Sequence, residues 1–399
     1  MGRLPIHIVC SSFGGRTDVD AIHILNQLIK AGSLVHEVDD LDRFPIIEII
    51  ANADIKCFEL LIKTMPSFDH RDKFTQTIIG EATKLQDNSM LTSILDRIKP
   101  YETVSELVNS AILSMCCHSV DKMRILHDRG VDFNVVDENN CNILHHSCKL
   151  GSIDTVHYLV NEIGLNINQK EKDGRTPAFH SATSEIDPVE KLKFLSYAGC
   201  SLREMDDDNE SLLHASCIHG PIETVEYLVN VIGLDVHQKD NAGMTPAMCC
   251  CVSIIHPVKK LKFLSSKSER LHTVDKRNYS LLHYSCQDGT IETVEYLVND
   301  IGLDINHEDN EGITPAMLCS ASSINPIEKL KFLSSKGANL RTVDKRNNSL
   351  LHASCLYSGL LKQIFNNKKR LISLSLKMLR LHYVDHIKTW CKQYFVPGP

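Results

Sequence analysis

The stretch SLLHASCIHGPIETVEYLVNVIG, residues 211–233, decides how this chain is read. It opens on Ser211, runs through a short apolar segment to Gly220, and continues in a second segment to Gly233. Ile222, Val225, Leu228, Val229 and Ile232 share one face at the helical period of about 3.6 residues. Two short helices joined by a tight turn are predicted, and helices this short need neighbours to be stable. The neighbours are present as copies. Leu213-His214 recurs as Leu144-His145, Leu282-His283 and Leu351-His352, always 69 residues apart. Thr176-Pro177, Thr245-Pro246 and Thr314-Pro315 keep the same step, as does KLKFLS at Lys191, Lys260 and Lys329. TVEYLVN begins at Thr224 and Thr293, with TVHYLVN at Thr155.

The 69-residue block is itself double. From Asn142 to Thr176 is 34 residues, and from Thr176 to Ser211 is 35. In the second half PVEKLKFLSYAG, residues 188–199, sets Val189, Leu192, Leu195 and Ala198 on one face, with Phe194 beside them. Pro188, Pro257 and Pro326 suit a first helical position, where no N–H is needed. Asp187 or Asn325 reads as the N-cap, and Glu190 or Glu328 as the capping-box acid.

These half-blocks resemble the ankyrin repeat, a unit of about 33 residues opened by Thr-Pro-Leu-His-x-Ala. TPAFHSA, TPAMCCC and TPAMLCS carry the Thr-Pro, and NILHHSC, SLLHASC and SLLHYSC carry the Leu-His. Gly151, Gly220 and Gly289 close the first helix of the odd units; Gly164, Gly199, Gly233, Gly302 and Gly337 follow the second helices. The finger loop, roughly Asn-x-x-Asp-x-x-Gly, appears as NQKEKDG, HQKDNAG and NHEDNEG; the last fits fully, the first has Glu in place of Asp and the second His in place of Asn. In odd units Asn140, Asn209, Asn278 and Asn347 replace its closing Gly, and Asn tolerates a left-handed turn best after Gly. Odd units carry one extra residue at the end of the second helix, and even units two near the inter-helix turn. The resemblance implies an all-α fold with short hairpin fingers, an ankyrin-repeat α-solenoid of about 11 helix-turn-helix repeats.

The repeats start near residues 4, 44, 77, 109, 142, 176, 211, 245, 280, 314 and 349. The wide first step hides an insertion around Gly14-Gly15. Three segments are expected: divergent repeats over 1–136, regular double units over 137–358, and a tail over 359–399. Met1 stands almost inside the first repeat, so a piece of a longer protein is one reading. The tail holds eight Lys or Arg and one acid, Asp385, and contains Trp390. It carries +7, which leaves −14 on the rest of a chain of net charge −7. Leu371, Leu374, Met378 and Leu381 would line one stripe of a basic amphipathic helix, or of a terminal cap.

Net charge −7 argues against a general nucleic-acid binder, and no run of about 18 apolar residues predicts a membrane span. Fifteen cysteines in 399 residues without a signal peptide fit reduced thiols. Gly-x-Ser-x-Gly, phosphate-loop and dinucleotide patterns are absent, and His70-Arg71-Asp72 lacks the rest of a kinase set, so no enzyme and no cofactor are expected. His145, His214, His283 and His352 could suggest a metal series. The ankyrin resemblance implies instead that this histidine bonds neighbouring backbone and ties repeats together. Cys141, His145, His146 and Cys148 could form a zinc set, but repeat phase accounts for His145 and Cys148, so no metal is expected. Cys249, Cys250 and Cys251 point three ways on a helix.

What varies between copies is the candidate surface. Odd finger tips read ENNC, DDNE, KRNY and KRNN from residues 138, 207, 276 and 345. The resemblance places finger tips and first helices on a concave, partner-binding face. Candidate contacts are Arg175, Asp207, Asp208, Glu210, Met244, Lys276, Arg277, Tyr279, Tyr284 and Ile313, with the tyrosines and apolar residues as anchors. The function expected is a monomeric, cytoplasmic or nuclear scaffold for other proteins. The alternative is a substrate adaptor or regulatory subunit of a ubiquitin ligase or kinase complex, using the tail.

Overall fold

The structure is a computed structural model that describes residues 4–11, 18–33, 35, 37–40, 43–52, 54–64, 73–98, 115–267, 271–350 and 352. The basic tail, Gly14-Gly15, His70-Arg71-Asp72, the first six residues of the repeat starting at 109 and most of the repeat starting at 349 lie outside them. The chain falls into two compact units, Met1–Leu234 and Asp235–Pro399. The boundaries expected at 136 and 358 mark changes of sequence regularity, whereas the units divide at Leu234.

Among the described residues every regular element is a helix, and pairing outside helices is confined to isolated bridges such as Met205 with Ser211 and Val274 with Ser280. Odd repeats pair a first helix with a second, as in Ile143–Leu150 with Ile153–Asn161 and Leu212–His219 with Ile222–Asn230. Even repeats do the same, as in Pro177–Ala182 with Pro188–Tyr197. In the first unit Ile143–Leu150 packs on Pro177–Ala182, which packs on Leu212–His219. In the second unit Pro246–Val252, Leu281–Gln287 and Pro315–Ala321 follow one another in the same way. The divergent segment continues the pattern. Pro5–Ser11 packs on Pro45–Ala51, and Pro45–Ala51 on Lys73–Thr83.

Three repeated devices hold these layers together. The first is the Leu-His histidine. In His283, Nδ1 accepts from the backbone N–H of Ser280 (3.2 Å), and Nε2–H donates to the Ile313 carbonyl in the next finger (3.1 Å). His145 does the same with Asn142 N–H and the Gln169 carbonyl (3.0 Å). His7, in the first divergent repeat, donates to the Arg43 carbonyl (2.9 Å). Burial first, opposed by the hydrogen bond to Ile313, pushes the His283 ring down to about 4.

The second device is the glycine closing each odd first helix. Gly151, Gly220 and Gly289 all lie outside the left-handed range of φ, so their role is close approach. A Cβ on Gly220 would overlap the Ala182 carbonyl oxygen, and one on Gly289 the Cys251 carbonyl oxygen.

The third explains KLKFLS. Lys191, Lys260 and Lys329 are completely buried (0% exposed), although they interrupt the apolar stripe. Lys191 Nζ donates to the Cys148 carbonyl and to Ser184 Oγ, both at 3.1 Å. Lys329 Nζ donates to the Cys286 carbonyl (3.1 Å) and Ser322 Oγ (3.2 Å), and Lys260 Nζ to Ser253 Oγ (3.3 Å). An ammonium at the C-terminal end of the preceding repeat's first helix satisfies a carbonyl that the helix itself leaves open. Burial lowers the pKa of Lys191 and Lys329. The same serines bracket the two extra residues of the even units, as Ser184 Oγ accepts from Ile186 N–H (3.1 Å). The second lysine of the string lies over the next repeat's tyrosine: Lys193 on Tyr227 (5.8 Å) and Lys262 on Tyr296 (5.4 Å).

Two sequence expectations are corrected. Asp187 and Asn325 are left-handed (φ 47° and 45°) and make no side-chain cap. Asp187 Oδ2 instead accepts from Ile153 N–H of the repeat before (3.2 Å). The buried stripe of Pro188–Tyr197 is Lys191, Leu192 and Leu195, with Ala198 exposed, because the helix turns its lysine inward to reach Cys148. The asparagines of the odd fingers are left-handed as read, with φ of 60–66° at Asn140, Asn209, Asn278 and Asn347.

Gly289→Ala is expected to destabilise the chain by about 1–3 kcal/mol in chemical denaturation, the usual range for overpacking. His283 also gives a pH dependence. Its folded pKa lies below the unfolded value, so its contribution is full above about pH 6.5 and is lost as the pH falls toward about 4. Between about pH 7 and about pH 4.5, His283→Gln should lose about 2–3 kcal/mol less stability than the unsubstituted chain.

Candidate partner-binding face

Each finger is closed by an acid at its base. Asp275 Oδ1 accepts from Arg277 N–H (2.8 Å) and Tyr279 N–H (2.7 Å). Asp206 clamps Asp208 and Glu210, Asp240 clamps Ala242 and Met244, Asp309 clamps Glu311 and Ile313, and Asp344 clamps Arg346 and Asn348 in the same way. Asp137 holds Asn139 and Cys141, again at 2.9 Å each. An aspartate is the right length to bond the backbone two residues on. The carboxylate's other oxygen is taken by a side chain of the first helix or of the preceding finger. It meets Tyr284 Oη (2.7 Å) at Asp275, His146 Nε2 (3.2 Å) at Asp137, and Arg175 Nε (2.9 Å) at Asp206.

The clamp pushes the two residues of each tip outward. Glu138-Asn139, Lys172-Asp173 and Asp207-Asp208 are exposed in the first unit. Asn241-Ala242, Lys276-Arg277, Asn310-Glu311 and Lys345-Arg346 are exposed in the second. Successive fingers are laced by backbone bonds beneath these tips. Asp207 N–H donates to the Asp173 carbonyl (3.1 Å), and Lys345 N–H to the Glu311 carbonyl (2.8 Å). The tips of the first unit are net acidic and those of the second net basic.

The ten candidate contacts therefore separate. Asp207, Asp208, Lys276 and Arg277 are exposed at tips. Met244 and Ile313 are half-buried. Arg175 is half-buried and pairs with Asp206 and with Glu210 Oε2 (2.7 Å). Tyr279 and Tyr284, expected as aromatic anchors, are each only 6% exposed. Tyr279 lies against the His283 ring (4.9 Å between centroids) with the Arg277 guanidinium 4.4 Å from its own centroid. Burial first, then the bond to Asp275, raises the Tyr284 pKa. Both rings are turned inward because the clamp acid and the framework histidine sit on that side.

One finger departs from the rest. Its acid is Glu171, one methylene longer, and its carboxylate reaches Cys141 Sγ of the preceding finger (2.8 Å) and His180 Nε2 of its own first helix (3.2 Å). Burial opposes ionisation of Glu171, but the hydrogen bonds from His180 and Cys141 prevail and hold it down at about 2. The zinc set weighed from spacing is not assembled. His145 is engaged with Asn142 and Gln169, His146 with Asp137, and Cys148 lies fully buried. Cys249, Cys250 and Cys251 are buried in Pro246–Val252. Sequence reading missed the joining of Cys141, Glu171 and His180; its one signal was Glu in a finger position otherwise held by Asp.

Comparison with known proteins agrees with this architecture. A family model described as ankyrin repeats (3 copies) matches residues 112–200, 179–272 and 256–344, more than half of the chain. The ankyrin repeat protein L271 of Acanthamoeba polyphaga mimivirus is 23% identical over 61% of this chain and 31% of its own length. Human transient receptor potential cation channel subfamily A member 1 is 28% identical over 34% of this chain and 12% of its own length. An ankyrin repeat-containing protein of Schizosaccharomyces pombe, C6C3.08, is 30% identical over 28% of this chain and 48% of its own length. The chain thus spans less than half the length of these relatives. Among solved structures, the ankyrin repeat domain of Bcl-3 aligns with a TM-score of 0.39 and 19% identity, over 55% of this chain and 97% of that one. No helix among the described residues is long and apolar enough to cross a membrane. The chain belongs to the ankyrin repeat family.

Proposed function

We propose that this chain is a non-enzymatic scaffold that binds partner proteins across its finger tips and the adjoining first helices. Ankyrin repeats generally serve protein–protein interaction, and the finer reading rests on one observation. The clamp acids, framework histidines, closing glycines and buried lysines recur from copy to copy, while the exposed tip pairs differ in charge and size. Recurrence accounts for stacking, and the varied tips are what a partner can distinguish. The basic tips Lys276-Arg277 and Lys345-Arg346 favour an acidic protein segment on the second unit, as opposite charge steers encounter and fixes register. In this reading the scaffold is monomeric and works in the cytoplasm or nucleus.

The test is affinity capture with the full chain beside the variant Lys276→Glu/Lys345→Glu/Arg346→Glu. These side chains stand at exposed tips and make only surface bonds to the preceding finger, so thermal unfolding should shift only slightly. A captured partner should bind at least about tenfold more weakly to the variant, and binding to the unsubstituted chain should weaken with salt. Equal, salt-insensitive binding by both chains would exclude the tips as the contact surface.

A further inference from the structure

We infer that Cys141, Glu171 and His180 form a binding site for a single zinc ion at the base of two adjacent fingers in the first unit. Their donor atoms, Cys141 Sγ, a Glu171 carboxylate oxygen and a His180 ring nitrogen, all lie within 4.8 Å of one another. Zinc bonds of ~2.3 Å to sulfur and ~2.0–2.2 Å to nitrogen and oxygen place tetrahedral donors about 3.3–3.7 Å apart, so small side-chain rotations complete the set. A thiolate, an imidazole and a carboxylate together suit a borderline-soft ion; calcium and magnesium take oxygen donors. Three protein donors leave the fourth position to water.

The donors come from three separate pieces of backbone, each already fixed. Cys141 N–H is held by Asp137 Oδ1 (2.9 Å). Glu171 N–H donates to the Arg175 carbonyl (3.0 Å), and the two fingers are tied by Lys172 N–H to the Asn139 carbonyl (2.9 Å) and Asn140 Nδ2 to the Lys170 carbonyl (2.6 Å). His180 lies on Pro177–Ala182, edge-on to the His145 ring with centroids 5.4 Å apart. Cys141 is buried, while the His180 side chain is 25% exposed and opens the site to solvent. On binding, the sulfur–hydrogen bond of Cys141 breaks, its electron pair forms the zinc–sulfur bond, and the proton passes to water.

The internal copies supply the control. At 69-residue steps Cys141 becomes Glu210, Tyr279 and Asn348, Glu171 becomes Asp240 and Asp309, and His180 becomes Cys249 and Leu318. All three donors change together, and among the described fingers only Glu171 is not an aspartate. An aspartate there gives one oxygen to the finger's own amides and the other to a single side chain, as Asp137 does with His146, whereas the glutamate reaches the neighbouring finger's sulfur as well as the imidazole.

The probe is cobalt(II) added to the reduced full chain, read as thiolate-to-cobalt charge-transfer absorption and displaced by zinc. One equivalent should develop the absorption in the unsubstituted chain. Glu171→Asp restores the acid of the other fingers and should fold as they do; it should abolish the band, as should Cys141→Ser. His180→Gln should weaken binding by at least about tenfold. Circular dichroism of each variant reports folding separately. Absence of a one-equivalent band in the unsubstituted chain, or an undiminished band in folded Glu171→Asp, would overturn the site.

Discussion

The bond from a framework histidine to the carbonyl of the next finger is the contact on which the arrangement turns. A first helix of seven or eight residues, such as Leu281–Gln287 or Ile143–Leu150, cannot persist alone in water. Its histidine closes the start of its own helix with Nδ1 and holds the following finger with Nε2. One ring thereby couples formation of a helix to placement of its neighbour. The coupling needs a neutral imidazole, since an acceptor at Nδ1 and a donor at Nε2 exist together only in that form. Burial supplies this condition, and the finger supplies the partner.

Periodicity made the helices, the fingers and the order of repeats legible, because Leu-His, Thr-Pro and the glycines are local signals repeated at a fixed step. The divergent repeats were legible through position alone, and His7 with its bond to Arg43 confirms the phase there. Interior polar chemistry was harder to read. Lys191 looks like a solvated residue within an apolar face, and nothing local says that the Cys148 carbonyl, 43 positions earlier, awaits it. Tyr279 and Tyr284 vary between copies as surface residues do, yet Asp275 and His283 draw them inward. Asp187 has the composition of an N-cap, but the two extra residues before it force a left-handed turn and redirect its carboxylate. Each miss concerns a side chain whose partner belongs to another repeat.

The finger acid shows how a framework position acquires chemistry. As aspartate it gives one oxygen to two backbone amides, which stabilises a hairpin, and the other to a single side chain. As Glu171 it gains reach, and among the described residues this is the set of three ligating groups that comes within 4.8 Å of one another. Neutral packing and a reactive cluster here differ by one methylene and two neighbours.

The seams also differ between odd and even repeats. Among the described residues a buried lysine reaches a cysteine carbonyl from an even second helix, and the outer lysine finds its tyrosine on an odd one. Removal of a single repeat would bring two like faces together, with an ammonium buried and no carbonyl to receive it. Removal of two regular repeats would bring unlike faces together again, as in the seams described. The regular segment is therefore quantised in length: its joints match at steps of 69 residues, and not at half that.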